Sequence, residues 1–227
     1  MLHEGLGSLT MWKDFPLRVA QATRSRVLVY SRYGHGWSDG LAERRTARFM
    51  HDEAHFALPQ LLDQLDIRNP ILLGHSDGAS IALIHAGGSG RRVSGLIVLA
   101  PHVMVEDLTV TSIAAAKVAF ETTDLRQRLA RYHADVDSTF WGWNNIWLDA
   151  GFRAWNIEEF LPHIRCPILA CQGKDDRYGT MEQIKRISSA VSQVQAVELE
   201  HCGHSPHRDR SDSVLAAIAG YIDRLRG

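Results

Sequence analysis

The feature that most constrains this chain is residues 74–78 (GHSDG), which lie between an apolar run and a helix-compatible segment. Residues 70–73 (PILL) are typical of a short buried parallel strand, and residues 79–86 (ASIALIHA) suit a helix. A G-x-S-x-G turn between strand and helix holds its serine, here Ser76, in an unfavourable backbone conformation beside a helix N-terminus. The pattern therefore predicts an exposed nucleophilic serine, although it also occurs by chance at ordinary strand–helix turns.

The rest of the chain alternates strand-like and helical patterns. Strands are predicted at residues 26–30, 70–73, 93–100, 166–171 and 194–199. Helices are predicted at residues 10–23, 46–65, 79–86, 181–191 and 211–225. Between residues 103 and 161 the alternation stops, and the chain becomes helical in character and rich in tryptophan. These patterns predict an α/β fold with a mainly parallel sheet flanked by helices.

Composition excludes several classes of partner. The net charge of −1 gives no support for nucleic acid or an anionic membrane surface as a partner. No apolar run is long enough to span a bilayer, and we expect no signal peptide. The three cysteines lack the spacing of metal ligands and are interpreted as reduced thiols, which favours a cytoplasmic location. We expect no metal and no cofactor.

Three polar residues follow three of the predicted strands. Ser76 follows the strand at 70–73, Asp176 follows the strand at 166–171, and His204 follows the last strand. Because the carboxyl ends of parallel strands share one edge of a sheet, we expect these side chains to converge. A serine nucleophile needs a histidine base, and the base needs an acid to orient it. We predict Ser76 as nucleophile, His204 as base and Asp176 as acid.

Neighbouring residues leave alternatives for two of these roles. His201 and His207 compete with His204, which we favour because Gly203 and Ser205 suit a tight loop. Asp175 competes with Asp176, which lies at the tip of the loop after its strand.

The negative charge that develops on the substrate oxygen needs N–H donors. The N–H of Asp77, which follows the nucleophile, is the first predicted donor. The second should come from the glycine-containing loop at residues 3–7 (HEGLG), where Gly5 is our first choice and Leu6 the alternative.

Taken together, these motifs resemble the α/β-hydrolase fold, and more specifically its carboxylesterase-like serine hydrolases. The resemblance covers almost the whole chain and is carried by residues 3–7, 33–39 (YGHGWSD), 74–78, 172–176 (QGKDD) and 202–207 (CGHSPH). It implies that residues 103–161 are a helical cap inserted into a core made of residues 1–102 and 162–227. The motifs are specific to the fold and to serine-dependent hydrolysis, and they do not specify a substrate.

The chain departs from the family pattern in two places. Glu4 stands where the family usually has glycine, and Arg32 or His35 is the predicted partner of its carboxylate. The chain also begins inside the oxyanion loop, whereas the family has strands before it. We interpret the chain as N-terminally truncated; the alternative is that residues 26–30 pair directly with the strand at 70–73. A free sheet edge would favour association into a homo-oligomer.

The resulting functional hypothesis is hydrolysis of a small carboxylic ester through an acyl-enzyme. The tryptophans predict an apolar or aromatic substrate group, with Trp141, Trp143 and Trp147 as candidate binding residues. Packing of these tryptophans against the core is the alternative explanation. Hydrolysis of thioesters, lactones or carbon–carbon bonds, perhydrolysis, and a non-catalytic role in binding small molecules remain open.

Overall fold

The computed structural model describes all 227 residues and contains one parallel sheet. Its four strands, in the spatial order β1-β2-β3-β4, are β1 (Ile71–His75), β2 (Gly95–Leu99), β3 (Ile168–Gly173) and β4 (Val194–Leu199). The predictions at 70–73, 93–100, 166–171 and 194–199 are confirmed, with shifts at the strand ends. The α/β fold is therefore confirmed.

Ten α-helices surround the sheet. They are α1 (Phe15–Thr23), α2 (Phe49–Asp52), α3 (Leu58–Gln64), α4 (Asp77–Gly88), α5 (Asp107–Thr122), α6 (Leu125–Leu129), α7 (Val136–Leu148), α8 (Met181–Ala190), α9 (Pro206–Asp209) and α10 (Ser211–Arg226). A π-helical stretch, Glu53–Ala57, joins α2 to α3. The helix predicted at 10–23 is divided into a 3₁₀ turn, Leu9–Trp12, and α1. Pro16 lies in the first turn of α1, where its missing N–H costs nothing.

Apolar side chains fill both faces of the sheet, because successive strand residues point to opposite sides. Leu72 belongs to a cluster of 34 buried residues that includes α4 and α7. Leu73 belongs to a cluster of 15 buried residues that includes α1 and α10. Helix α4 is buried from Asp77 to His85, so the element after the serine is held on all sides.

Residues 26–30 do not form the predicted strand. Leu2 occupies the outer edge of β1: its N–H donates to the Leu73 carbonyl (2.8 Å), and the His75 N–H donates to the Leu2 carbonyl (3.0 Å). Beyond this contact, a largely apolar groove of about 440 Å³ separates residues 26–30 from β1. A strand needs a ladder of backbone hydrogen bonds, and residues 26–30 have only an isolated contact, in which the N-terminal amino group of Met1 donates to the Leu28 carbonyl (2.6 Å). Direct pairing of residues 26–30 with β1 is therefore wrong as well.

Residues 103–161 form α5, α6, α7, the 3₁₀ helix Ala150–Ala154 and the first part of a second 3₁₀ helix, Glu158–His163, and they contribute no strand to the sheet. Their division from residues 1–102 and 162–227 as a cap stays a prediction. No helix of the chain has the length and apolar character needed to cross a bilayer.

Candidate active site

Ser76 sits at the turn between β1 and α4, at the carboxyl edge of the sheet. It is only 6% exposed, so the prediction of an exposed serine is wrong. Its backbone has φ 53° and ψ −121°, a conformation that residues other than glycine rarely adopt. The turn requires glycine on both sides, because a Cβ on Gly74 would lie 2.3 Å from the Gly78 carbonyl oxygen. The Ser76 N–H donates to the Leu99 carbonyl (2.9 Å), which ties the turn to the end of β2.

A chain of hydrogen bonds joins the three residues that the sequence analysis selected. Ser76 Oγ lies 2.9 Å from His204 Nε2, and His204 Nδ1 lies 2.8 Å from Asp176 Oδ2. A serine hydroxyl that donates to Nε2 and an Nδ1–H that donates to a carboxylate give the imidazole one defined tautomer. The arrangement can remove a proton from Ser76 and stabilise the imidazolium that results.

Asp176 is buried yet suited to remain ionised. Burial raises the pKa of its carboxyl. The hydrogen bond and charge of His204, together with the Tyr178 N–H, lower this pKa by more than burial raises it, so the pKa lies below its usual range. Tyr178 N–H donates to Oδ1 (2.7 Å), and Gln172 Nε2 donates to Oδ2 (2.7 Å). The carboxylate can therefore hold His204 without taking its proton.

The alternatives to His204 and Asp176 do not join this chain. Asp175 and His201 are exposed. The ring of His207 instead packs against Trp12, with ring centroids 4.7 Å apart.

Gly5 and Asp77, the two predicted oxyanion donors, lie on adjoining segments. A Cβ on Gly5 would lie 3.1 Å from Asp77 Oδ2. The Gly5 N–H donates to no backbone acceptor, and the Asp77 N–H lies in the first turn of α4, where N–H groups lack partners within the helix. Both groups are therefore free to bind an oxygen of a ligand.

Comparisons with known proteins show the family and the fold. The model of the "Alpha/beta hydrolase family" matches residues 1–217. The chain belongs to this family. A search of curated proteins finds no match. Among solved structures, the chain is similar to a thermophilic esterase from Thermogutta terrifontis, with 19% identity and a TM-score of 0.75, covering 100% of this chain and 89% of that one.

Two further solved structures resemble this hydrolase. The esterase EaEST from Exiguobacterium antarcticum is 20% identical, with a TM-score of 0.73 and coverage of 98% of this chain and 90% of that one. The enol-lactonase from Burkholderia xenovorans LB400 is 19% identical, with a TM-score of 0.77 and coverage of 98% and 89%. At these identities the likeness shows the shared fold.

The side chain of Asp77 is a feature of this hydrolase that the sequence analysis missed. Asp77 is 1% exposed, and its carboxyl oxygens make no hydrogen bond of good geometry, although the indole N–H of Trp147 lies near enough to act on its pKa. Burial raises the pKa of this carboxyl, although the charges of Arg32 and Arg45 act in the opposite direction. The motif drew attention to its N–H alone, and nothing in the local pattern indicates that the side chain is buried.

The three candidate tryptophans of α7 do not share one environment. Trp143 and Trp147 are four residues apart and lie on one face of the helix. Trp143 packs against Gly5, and the ring of Trp147 lies 5.2 Å from that of His102. Trp141 faces elsewhere and packs on Phe140, at 5.1 Å between centroids. The structure therefore brings two of the three close to the candidate active site.

His102 is a second residue that the sequence analysis missed. Its ring lies 5.6 Å from that of His204, and it follows β2 at the same sheet edge as Ser76. Burial, assisted by the His204 and His75 charges, lowers the pKa of His102 to about 3, so the ring is neutral. Its place after a predicted strand was the signal that could have revealed it.

Arg32 and His75 hold the loop that carries Gly5. Arg32 Nη2 donates to the carbonyls of His3 (3.1 Å) and Glu4 (3.0 Å). The Glu4 carboxylate instead lies 3.4 Å from His75 Nδ1, so its predicted pairing with Arg32 or His35 is wrong. The Glu4 side chain points to the end of β1, where His75 lies, and the spacing of residues along the chain does not indicate this contact. No group of three or more His, Cys, Asp or Glu side chains is arranged to hold a metal ion.

Proposed function

We propose that this α/β hydrolase cleaves small carboxylic esters through an acyl-enzyme, with Ser76 as nucleophile, His204 as base and Asp176 as acid. The observation that carries the proposal is the continuous hydrogen-bond chain from Ser76 Oγ to Asp176 Oδ2 through His204. The strained serine turn and the two free N–H groups next to it support the same chemistry.

In the first half of the reaction, Ser76 Oγ attacks the ester carbonyl carbon and its proton passes to His204 Nε2. The carbonyl oxygen becomes an oxyanion, which the N–H groups of Gly5 and Asp77 stabilise. When the tetrahedral intermediate collapses, the bond to the alcohol oxygen breaks and that oxygen takes the proton from His204. The alcohol leaves, and the acyl group remains on Ser76.

In the second half, water replaces the alcohol. The water oxygen attacks the acyl carbon, and His204 accepts a proton from the water at the same time. Collapse then breaks the bond to Ser76 Oγ, which recovers its proton from His204, and the carboxylic acid leaves. Asp176 remains ionised throughout and stabilises each imidazolium.

Covalent labelling tests this proposal directly. A fluorophosphonate should bond through phosphorus to Ser76 Oγ with loss of fluoride, and turnover of p-nitrophenyl butyrate should fall in proportion to labelling. Peptide mass spectrometry locates the label. The exposed residue Ser188 provides the control, because Ser188→Ala should be labelled and should turn over substrate as the wild type does. A label on another residue, or turnover that persists after full labelling, would contradict the proposal.

The two buried tryptophans of α7 support an apolar acyl group, and they provide a matched pair of variants. Trp143→Phe leaves more room beside Gly5, so we expect the ratio of kcat/KM for hexanoate over acetate esters to rise about tenfold. Trp141→Phe changes the same residue type on another face of the same helix, and we expect it to leave the ratio unchanged. Equal ratios in both variants would refute the assignment of Trp143 to the acyl site. A panel that includes lactones would measure the preference within ester chemistry.

A further inference from the structure

His75, the residue directly before the nucleophile, contacts two hydrogen-bond acceptors. His75 Nε2 lies 2.5 Å from the backbone carbonyl oxygen of His204, and Nδ1 lies 3.4 Å from Glu4 Oε2. His75 is 1% exposed, whereas the Glu4 side chain is 21% exposed. A carbonyl oxygen can only accept, and an ionised carboxylate can only accept. With Glu4 ionised, both ring nitrogens of His75 must therefore carry hydrogen.

We propose that Glu4 and His75 form an ion pair that positions His204, with the His75 imidazolium donating one N–H to Glu4 and the other to the His204 carbonyl. This inference rests on the proposed function. It makes Glu4 and His75 positioning residues, since neither reaches the reacting atoms. Through them the oxyanion loop, the nucleophile turn and the loop of the base are joined by one charged contact.

The groups around His75 favour its charged form. Glu4 approaches from the oxyanion loop and Asp176 from the loop after β3, while His204 contributes its carbonyl. Burial lowers the pKa of His75, but the hydrogen bond and charge of Glu4 outweigh it, so the pKa is raised above 6.5. The same contact lowers the pKa of Glu4, against the effect of its burial.

The ring of His204 lies 5.3 Å from that of His75, and in the proposed mechanism it is a cation only while it holds the proton of Ser76 or of water. The other neighbours of His75 add no competing cation. The indole of Trp12 packs at 6.3 Å from the His75 ring, and the ring of His207 on α9 lies at 4.8 Å. Burial and the His75 charge lower the pKa of His207 to about 3, so His207 is neutral. His75 is thus the cation of this cluster in the resting enzyme.

The sign of the pH dependence follows from the raised pKa. The stabilisation by the pair is complete below the ordinary histidine pKa of about 6.5 and is lost as pH rises through the higher pKa of the folded protein. Loss of either proton leaves a lone pair facing the Glu4 carboxylate or the His204 carbonyl. The base then moves relative to Ser76, so we expect kcat to fall at alkaline pH while KM changes little.

Two substitutions test the pair through pH profiles of kcat. Glu4→Gln removes the charge that holds the proton, and we expect the alkaline decline to move about one to three pH units lower. We expect kcat at pH 8 to fall about tenfold, less than the hundredfold cost of a 1 Å displacement. In His75→Gln, the glutamine supplies an N–H for the His204 carbonyl and does not titrate. We therefore expect the alkaline decline of kcat to be absent in this variant. Glu121→Gln, an exposed substitution on α5, should match the wild type.

A readout that does not depend on turnover completes the test. ¹⁵N spectra of the histidine rings, with His75 assigned from its loss in His75→Gln, should show an imidazolium in the wild type at pH 7 and a neutral ring in Glu4→Gln. Thermal unfolding checks that each variant folds. An unmoved alkaline decline in folded Glu4→Gln, or a neutral His75 in the wild type, would overturn the ion pair. Turnover that does not require Ser76 would instead refute the proposed function, and the spectra would still decide the pairing.

Discussion

Ser76→Ala is expected to lower kcat for p-nitrophenyl esters by about four to six orders of magnitude, because the variant cannot form an acyl-enzyme. The hydrogen-bond chain would begin at His204 with nothing to deprotonate. Residual turnover would come from direct attack of water on a bound ester, with the N–H groups of Gly5 and Asp77 still stabilising the oxyanion. Steady-state kinetics with enough enzyme to detect a very slow rate would measure the loss.

The fold should tolerate this substitution. The backbone at position 76 has φ 53°, and alanine and serine are similarly strained there, so the turn neither gains nor loses strain. We expect Tm to stay within about 2 °C of the wild type, corresponding to less than about 1 kcal/mol. Ser188→Ala controls for the loss of an exposed hydroxyl. More than about 1% of wild-type kcat in a folded Ser76→Ala variant would mean that the nucleophile lies elsewhere.

Gly78→Ala is expected to be strongly damaging, because the added methyl group would overlap backbone atoms of the segment that leads into the oxyanion loop. The added Cβ would lie 2.3 Å from the Leu2 carbonyl oxygen and 2.7 Å from the His3 carbonyl oxygen. Both contacts are with backbone, which cannot rotate away as a flexible side chain can. The segment that leads into the oxyanion loop would have to move, and Gly5 would move with it.

Two opposing effects of this change can be separated by magnitude. In a helix, alanine is favoured over glycine by about 1 kcal/mol, which alone would stabilise α4. Overpacking against a fixed backbone costs about 1–3 kcal/mol or more. We therefore expect a net loss of stability, together with a fall in kcat of about a hundredfold from the misplaced donor.

Gly220→Ala is the matched control for Gly78→Ala. It lies inside α10, where the added Cβ would meet only the far end of the Arg224 side chain, at 3.5 Å. Helix propensity should then dominate, and we expect a gain of about 0.5–1 kcal/mol with unchanged activity. Denaturant unfolding and ester turnover measure both variants. A Gly78→Ala protein as stable and active as the wild type would show that residues 2–3 adapt freely.

The local sequence was sufficient to predict the sheet and the three residues at its edge. Four strands and their parallel direction follow from three short apolar runs and one alternating segment, separated by helical patterns. Ser76, Asp176 and His204 follow strand ends, and parallel strands bring those ends to one edge. No contact between distant residues had to be known in advance.

Residues 26–30 show where this reasoning fails. Their apolar pattern is as typical of a strand as that of β1, but a strand exists only when another backbone accepts its hydrogen bonds. Here the outer edge of β1 contacts Leu2, and a groove lies beyond it. An apolar pattern indicates that a segment favours the strand conformation, but it does not indicate whether a neighbouring strand is present to pair with it.

The sequence by itself determined the α/β fold, the order of Ser76, Asp176 and His204 along the chain, and the strand end that each of them follows. Tertiary structure alone decided that Glu4 contacts His75, that Trp143 rather than Trp141 lies against Gly5, and that the Asp77 carboxyl is buried. The physical reason is range. Periodicity and turn chemistry act over a few residues, whereas the partner of a polar side chain is set by which distant segments the folded core brings together.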